Sequence, residues 1–155
     1  MKRITLICIG RLKNPHWKTA SAHYEKLLSR HFRLAAEELR DAPASLPAEE
    51  RVRLEGEAIL ARLPDRAAVV CLDERGAAMS SMEFSRLLRE IVETGLEPVF
   101  VLGGPYGLSG SVRERARLTL SLGPMTLPHE LARVVLTEQI WRAVAIWRNI
   151  PYHNA

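Results

Sequence analysis

The chain predicts an α/β fold, a mostly parallel sheet flanked by helices. Three observations carry this. Short, continuous apolar runs (Ile4–Ile9, Ala67–Leu72, Val99–Leu102) recur along the chain, as strands buried on both faces do. Longer stretches with apolar residues at three-to-four spacing separate them, as amphipathic helices do. Glycine or aspartate stands at the end of several runs, where a strand hands over to a loop. With 155 residues and 47% apolar content, one domain spanning 1–155 with a substantial core is expected.

Taken in order, Ile4–Ile9 is the first strand, ending at Gly10. Asn14 reads as an N-cap, with Pro15 at the first helical position. Trp17, Ala20, Tyr24, Leu27, Leu28 and His31 then mark a helix with one face on the sheet. Phe32–Leu39 has a helix-like composition, but its place after a helix in an alternating chain assigns it to a strand. Asp41–Pro47 is a loop. Ala48–Leu63 reads as an amphipathic helix through Val52, Leu54, Ile59 and Leu60, stopped by Pro64. The strand Ala67–Leu72 is expected to end at Asp73, with a turn at Gly76. Ser80 and Glu83 have capping-box spacing and open a helix through Phe84, Leu87, Leu88 and Ile91, stopping near Gly95. Val99–Leu102 leads into Gly103-Gly104. Ser109 caps a short helix to about Ala116, Leu118–Leu122 is a short apolar strand, and a long helix runs from His129 to Trp147.

Composition excludes several classes. No apolar run approaches transmembrane length, and the run after Lys2 and Arg3 is too short for a secretory signal. The expected compartment is therefore the cytoplasm. Cys8 and Cys71 lie in apolar runs and read as buried free thiols; no Cys/His spacing suggests a structural metal. The net charge of +4 is unevenly spread. Residues 1–40 hold nine Lys/Arg against three Asp/Glu, residues 41–100 hold seven against twelve, and residues 101–155 hold six against three. Basic ends around an acidic middle fit a polyanionic partner, and they fit solvated helix faces equally.

Chemistry concentrates in the last third. Gly103-Gly104-Pro105-Tyr106-Gly107 follows a strand and precedes a helix, where glycine permits close backbone approach to a ligand. It lacks the P-loop lysine and the dinucleotide spacing, so it reads either as a ligand loop or as a tight turn. Leu122-Gly123-Pro124-Met125-Thr126-Leu127 offers backbone groups and apolar contacts, suited to an adenine ring or to a plain connector. His129 begins the last helix, whose positive dipole end favours neutral imidazole. Arg133 shares its face. Glu138 and Arg142 have ion-pair spacing. Pro151-Tyr152-His153 reads as a frayed tail or as groups that stack on an unpaired base.

Three patterns in this order, Leu102-Gly103-Gly104-Pro105-x-Gly107-Leu108-Ser109, then Leu120-Ser121-Leu122-x-x-Met125-Thr126-Leu127-Pro128-His129 with Arg133, Leu136, Glu138 and Gln139, then Pro151-Tyr152-His153, resemble the RlmH (YbeA-like) family. These are SPOUT-class methyltransferases of large-subunit ribosomal RNA, and the resemblance covers essentially the whole chain. It implies a C-terminal trefoil knot, which general topology rules would not suggest, a homodimer, and S-adenosylmethionine bound in the knot. It places Leu72, Gly103 and Leu122, Gly123, Pro124, Met125, Thr126 and Leu127 in the cofactor pocket, with Gly104 and Gly107 shaping its loop. It places His129, Arg133, Tyr152 and His153 near the substrate. The implied reaction is methylation of a pseudouridine at N(3) in 23S rRNA, with His153 or His129 as base and no metal. Alternatives are a SPOUT enzyme acting on another RNA such as tRNA, and a non-catalytic ribosome-binding protein. Two positions depart from the family: Trp141 replaces a usual tyrosine, and Asn154-Ala155 stand where relatives often place a basic residue.

Overall fold

A computed structural model describes residues 1–154; Ala155 lies outside the described residues. The elements run β1 Arg3–Ile9, α1 Pro15–Leu28, β2 Arg33–Leu39, α2 Ala48–Arg62, β3 Ala67–Ala78, α3 Ser81–Glu93, β4 Glu97–Leu102, α4 Gly110–Arg115, β5 Leu118–Ser121 and α5 His129–Trp147. The five strands form one sheet in the order β2-β1-β4-β3-β5, and every pairing is parallel.

Side chains alternate across a strand, and the two faces of this sheet build two cores. Ile4, Leu6 and Cys8 of β1 pack with Val70, Phe100 and Leu120 against α1, α3 and α5. Ile7 and Ile9 pack with Val69, Cys71, Val99 and Val101 against Ile59 of α2 and Val112 of α4. Helix α5 lies between α1 and α3 on the first face. Both cysteines are free and buried; desolvation pushes each thiol up to about 11.

The expected caps are present. Asn14 Oδ1 accepts the His16 N–H at 2.9 Å and Pro15 opens α1. Ser80 and Glu83 close a reciprocal capping box on α3. Ser109 caps α4, and Gly95 ends the α3 region with φ +79°. Phe32–Leu39 is indeed extended, pairing with β1 from Arg33 to Leu39.

One boundary needs correction. β3 does not stop at Asp73; it continues to Ala78, with its pairing to β5 interrupted between Leu72 and Ala77. Asp73, Glu74, Arg75 and Gly76 form the bulge. Gly76 is therefore not a turn residue. A Cβ there would lie 2.7 Å from the Thr119 carbonyl oxygen, so β5 passes too close for any side chain.

Candidate active site

In open parallel sheets, ligands sit beyond the carboxyl ends of the strands. β4, β3 and β5 are neighbours, so the loops leaving them meet at one edge. They enclose a cleft of about 440 Å³, within the usual size range of small-ligand sites. Leu72, Gly103, Gly104, Gly107, Leu122, Gly123, Met125, Thr126 and Leu127 all line it, as does His129. Pro124 belongs to the same loop but is exposed and is not a lining residue.

The loops owe their shapes to local chemistry. Gly104 and Gly107 form a small antiparallel bridge, with the Gly107 N–H donating to the Gly104 carbonyl at 3.1 Å. Gly107 has φ +84°, which glycine alone tolerates cheaply. The segment is thus a tight turn as well as a cleft wall. A Cβ on Gly103 would meet Leu108 Cδ2 at 2.9 Å and the Gly107 carbonyl oxygen at 3.0 Å, so Gly103 is required by its own loop. On the opposite wall the Ser121 hydroxyl accepts the Gly123 N–H and contacts the Glu74 carbonyl oxygen, both at 3.0 Å. The Thr126 hydroxyl donates to Glu74 Oε2 at 2.7 Å. The bulge and the β5–α5 loop are therefore pinned together across the cleft.

Asp73, Glu74, Arg75, Leu102, Pro105, Tyr106 and Ala132 also line the cleft and were absent from the sequence-derived set. The glycine loop after Val99–Leu102 pointed to Leu102, Pro105 and Tyr106, and the strand end at Leu72-Asp73 pointed to the bulge residues. Asp73 accepts from Arg113 Nη2 at 2.9 Å and from Arg75 Nε at 3.2 Å. The hydrogen bond from Arg75, with the nearby guanidinium charges, holds its carboxyl below the ordinary carboxylate value despite burial.

The four residues expected near the substrate fall in three places. His129 is exposed at the cleft wall, and its Nε2 lies 3.7 Å from where a Gly10 Cβ would stand. Arg133 is buried and bonded through Nη1 to Glu38 Oε2 at 2.6 Å. Glu38 also accepts the Leu12 N–H at 3.1 Å. Burial alone would raise the Glu38 carboxyl, but these bonds and the Arg133 charge outweigh it and hold the value down. Tyr152 and His153 sit beside the far half of α5. The Tyr152 hydroxyl donates to Glu138 Oε1 at 3.0 Å, and Arg142 Nη1 lies 3.0 Å from His153 Nδ1. Arg142 binds Glu138 at 2.6 Å, so the expected ion pair also anchors the tail. Burial, then the Glu138 carboxylate, pushes the Tyr152 phenol up to about 12. Trp141 is buried, with Tyr152 at 5.7 Å and His31 at 6.0 Å between ring centroids. Thirteen residues of helix separate positions 129 and 142, about 20 Å at the usual rise. Within one chain the tail and the cleft are apart.

No helix among the described residues is long and apolar enough to cross a membrane. Comparison with known proteins places the chain among enzymes of one kind. It is 46% identical over 155 residues to the ribosomal RNA large subunit methyltransferase H of Maridesulfovibrio salexigens, spanning 99% of both chains. It is 47% identical over 155 residues to the protein of the same name from Oleidesulfovibrio alaskensis, spanning 99% of this chain and 100% of that one. A solved structure of a probable methylase family protein from Haemophilus influenzae shares the fold, with a TM-score of 0.55 at 13% identity over 98% of this chain and 70% of that one. A family model described as "Predicted SPOUT methyltransferase" matches residues 1–153. With nearly its whole length matched in this way, the chain belongs to the SPOUT methyltransferase family, and it is a methyltransferase.

Proposed function

We propose that this enzyme uses S-adenosylmethionine to methylate N(3) of a pseudouridine in 23S rRNA of the large ribosomal subunit. It does so in the cytoplasm, as a homodimer whose C-terminal part is knotted. The observation that carries the reading is the single cleft formed by the β3, β4 and β5 loops with His129 on its wall. The full-length relatives named for large-subunit rRNA methylation supply the substrate class.

The cleft fits the cofactor in size and chemistry. Leu72, Leu102, Leu122 and Leu127 offer apolar surface for an adenine ring. The loops around Gly103, Gly107 and Gly123 bring main-chain polar groups to the same space. When bound, S-adenosylmethionine supplies an electrophilic methyl on a sulfonium. The chain's residues then do the rest. The imide nitrogen must lose its proton as the new nitrogen–carbon bond forms and the carbon–sulfur bond breaks. His129, at the cleft wall, accepts that proton. Arg133 works from behind, holding the β1–α1 loop through Glu38. Tyr152 stays protonated, its one O–H given to Glu138, and serves as a stacking surface. His153 orients the base.

The distance between tail and cleft supports the dimer. Ile140, Trp141 and Val144 of α5 are consumed by this chain's own core, but Leu131, Val135 and Trp147 remain half-buried. A two-fold partner would cover them and bring its own tail to this cleft. The test is methyl transfer from labelled S-adenosylmethionine to purified ribosomes, with the modified nucleotide located by mass spectrometry. Label on N(3) of a 23S pseudouridine is expected. Label on tRNA, or binding without transfer, would replace the reading with one of its rivals.

A further inference from the structure

The cations of the first forty residues are the least neutralised in the molecule. Arg53, Arg62, Arg75 and Arg89 of the acidic middle each have a carboxylate within 4 Å. Before residue 41, Arg3 is the one cation so paired among the described residues. Six of the other eight fall in two groups. Lys26, Arg30 and Arg33 lie where α1 ends and β2 begins, at the amino edge of the sheet. Arg11, Lys13 and Arg40 lie just past the ends of β1 and β2, at the carboxyl edge that carries the cleft, and all three are exposed.

The carboxyl-edge set is held rigidly and close to the site. The Gly10 N–H donates to the Leu39 carbonyl at 2.8 Å, which ties the start of the β1–α1 loop to the strand end preceding Arg40. Glu130, next to His129, accepts the Lys13 and Asn14 N–H groups at 2.5 and 3.1 Å. Glu38, which holds Arg133, accepts the Leu12 N–H at 3.1 Å. Four backbone donors, those of Gly10, Leu12, Lys13 and Asn14, thus bind this loop to its surroundings. Asp41 sits beside Gly10; with Glu38 and Glu130 it makes three acids at this edge against four cations, Arg11, Lys13, Arg40 and the Arg133 that pairs with Glu38, so the cations stay in excess by one. Loop side chains are entropically costly to order; a loop already fixed through its main chain offers its charges at lower cost.

We propose that Arg11, Lys13 and Arg40 form a phosphate-binding rail on the His129 side of the cleft, which grips the rRNA backbone flanking the target nucleotide. The proposal rests on the RNA-methylation reading and names the surface that delivers the substrate. Phosphate contacts of this kind set register and orientation without reading sequence.

The test compares two triple variants of equal charge change: Arg11→Ala/Lys13→Ala/Arg40→Ala, and Lys26→Ala/Arg30→Ala/Arg33→Ala at the opposite pole. Because the loop is tied by backbone N–H groups, alanine keeps its anchors. Unchanged calorimetric binding of S-adenosylmethionine checks that the cleft is intact. The readout is affinity for purified ribosomes at fixed magnesium, followed over about 50 to 200 mM monovalent salt. The carboxyl-edge variant should lower the slope of log affinity against log salt by about 2 to 3, with KM for ribosomes raised and single-turnover rate at saturation kept. The opposite-pole variant should retain the wild-type slope. Equal losses in both variants, or an unchanged slope in the first, would overturn the rail. So would charge-dependent binding of the wild type to anionic phospholipid vesicles but not to ribosomes, which would reassign the surface to a membrane. If the wild type binds ribosomes with normal salt dependence yet transfers no methyl group, the rail stands and the catalytic reading falls.

Discussion

A guanidinium carries five N–H donors and no acceptor, so the 3.0 Å contact of Arg142 with His153 Nδ1 assigns a tautomer. Nδ1 must accept, and the neutral ring carries its proton on Nε2. In that state His153 faces a substrate as a donor, and its basic lone pair is already occupied. His129 has no such partner among the described residues, and it lies on the cleft wall. These two facts separate residues that look alike in the sequence. His129→Ala should cut the single-turnover rate by about a hundred- to ten-thousand-fold and remove the acidic limb of the pH–rate profile, the signature of a lost general base. His153→Ala should also slow transfer far more than it weakens S-adenosylmethionine binding, but the acidic limb should survive. A profile in which His153→Ala flattens the limb and His129→Ala leaves it would reverse the assignment. Both proteins should fold, because His129 is exposed and His153 is only half-buried.

Elements meet at this site through contacts that the linear chain conceals. Glu38 is the penultimate residue of β2 and Arg133 lies on α5, 95 positions later; nothing in either neighbourhood announces the pair. Its pH signature has a definite sign. The folded carboxyl sits below the ordinary value of 4.5, so its stabilisation is complete above that value and is lost as pH falls through the lower folded one. Glu38→Gln should therefore melt at lower temperature than wild type at neutral pH, with the gap closing in acid; a constant gap down to the acid transition would deny the ionic contribution. The same concealment governs the cleft walls. Glycine loops are legible in a sequence because only glycine serves a position such as Gly107, and strands and caps are legible because burial and capping act over a few residues. The bulge at Asp73–Gly76 is not, since it arises from where β5 resumes pairing with Ala77 rather than from any periodicity of Asp73-Glu74-Arg75. Gly103 carries a related lesson. Valine there is a natural probe of a ligand pocket, yet its Cβ would strike Leu108 and the Gly107 carbonyl, so the variant tests loop folding instead. Ala132, on the first turns of α5 and lining the cleft, is the cleaner position. Ala132→Leu keeps helix propensity and adds bulk to the ligand space. Calorimetry should find S-adenosylmethionine weakened by about tenfold or more, roughly 1.4 kcal/mol, with the melting temperature nearly unchanged. Normal affinity would move the cofactor elsewhere.

Across the whole molecule, the parallel sheet sends the chemistry of β3, β4 and β5 to one edge, while α5 carries the chain away from it. His129 begins that helix, and the Glu138–Arg142–Tyr152–His153 cluster holds the tail about 20 Å further along. Glu138 accepts from both Arg142 and Tyr152, so the tail is fastened at a distance from its own cleft rather than left to swing toward it. A homodimer with antiparallel copies of α5 would set each tail at the partner's cleft. Two variants, each impaired for a different reason when S-adenosylmethionine is limiting, test this geometry. Ala132→Leu spoils the cleft and leaves a sound tail; His153→Ala leaves a sound cleft and spoils the tail. Mixed and allowed to exchange subunits, they form hybrids in which one sound cleft faces one sound tail only if the tail acts across the interface. With random exchange, half the dimers are hybrids and each has one working site, so activity should return to about a quarter of wild type. If tail and cleft act within one chain, every site in the mixture keeps one defect and no activity returns. Sedimentation equilibrium must first find dimers at micromolar concentration. A monomer there, together with full activity, would require the tail to leave Glu138 and Arg142 and cross to its own cleft, and Glu138→Gln would then speed transfer instead of slowing it.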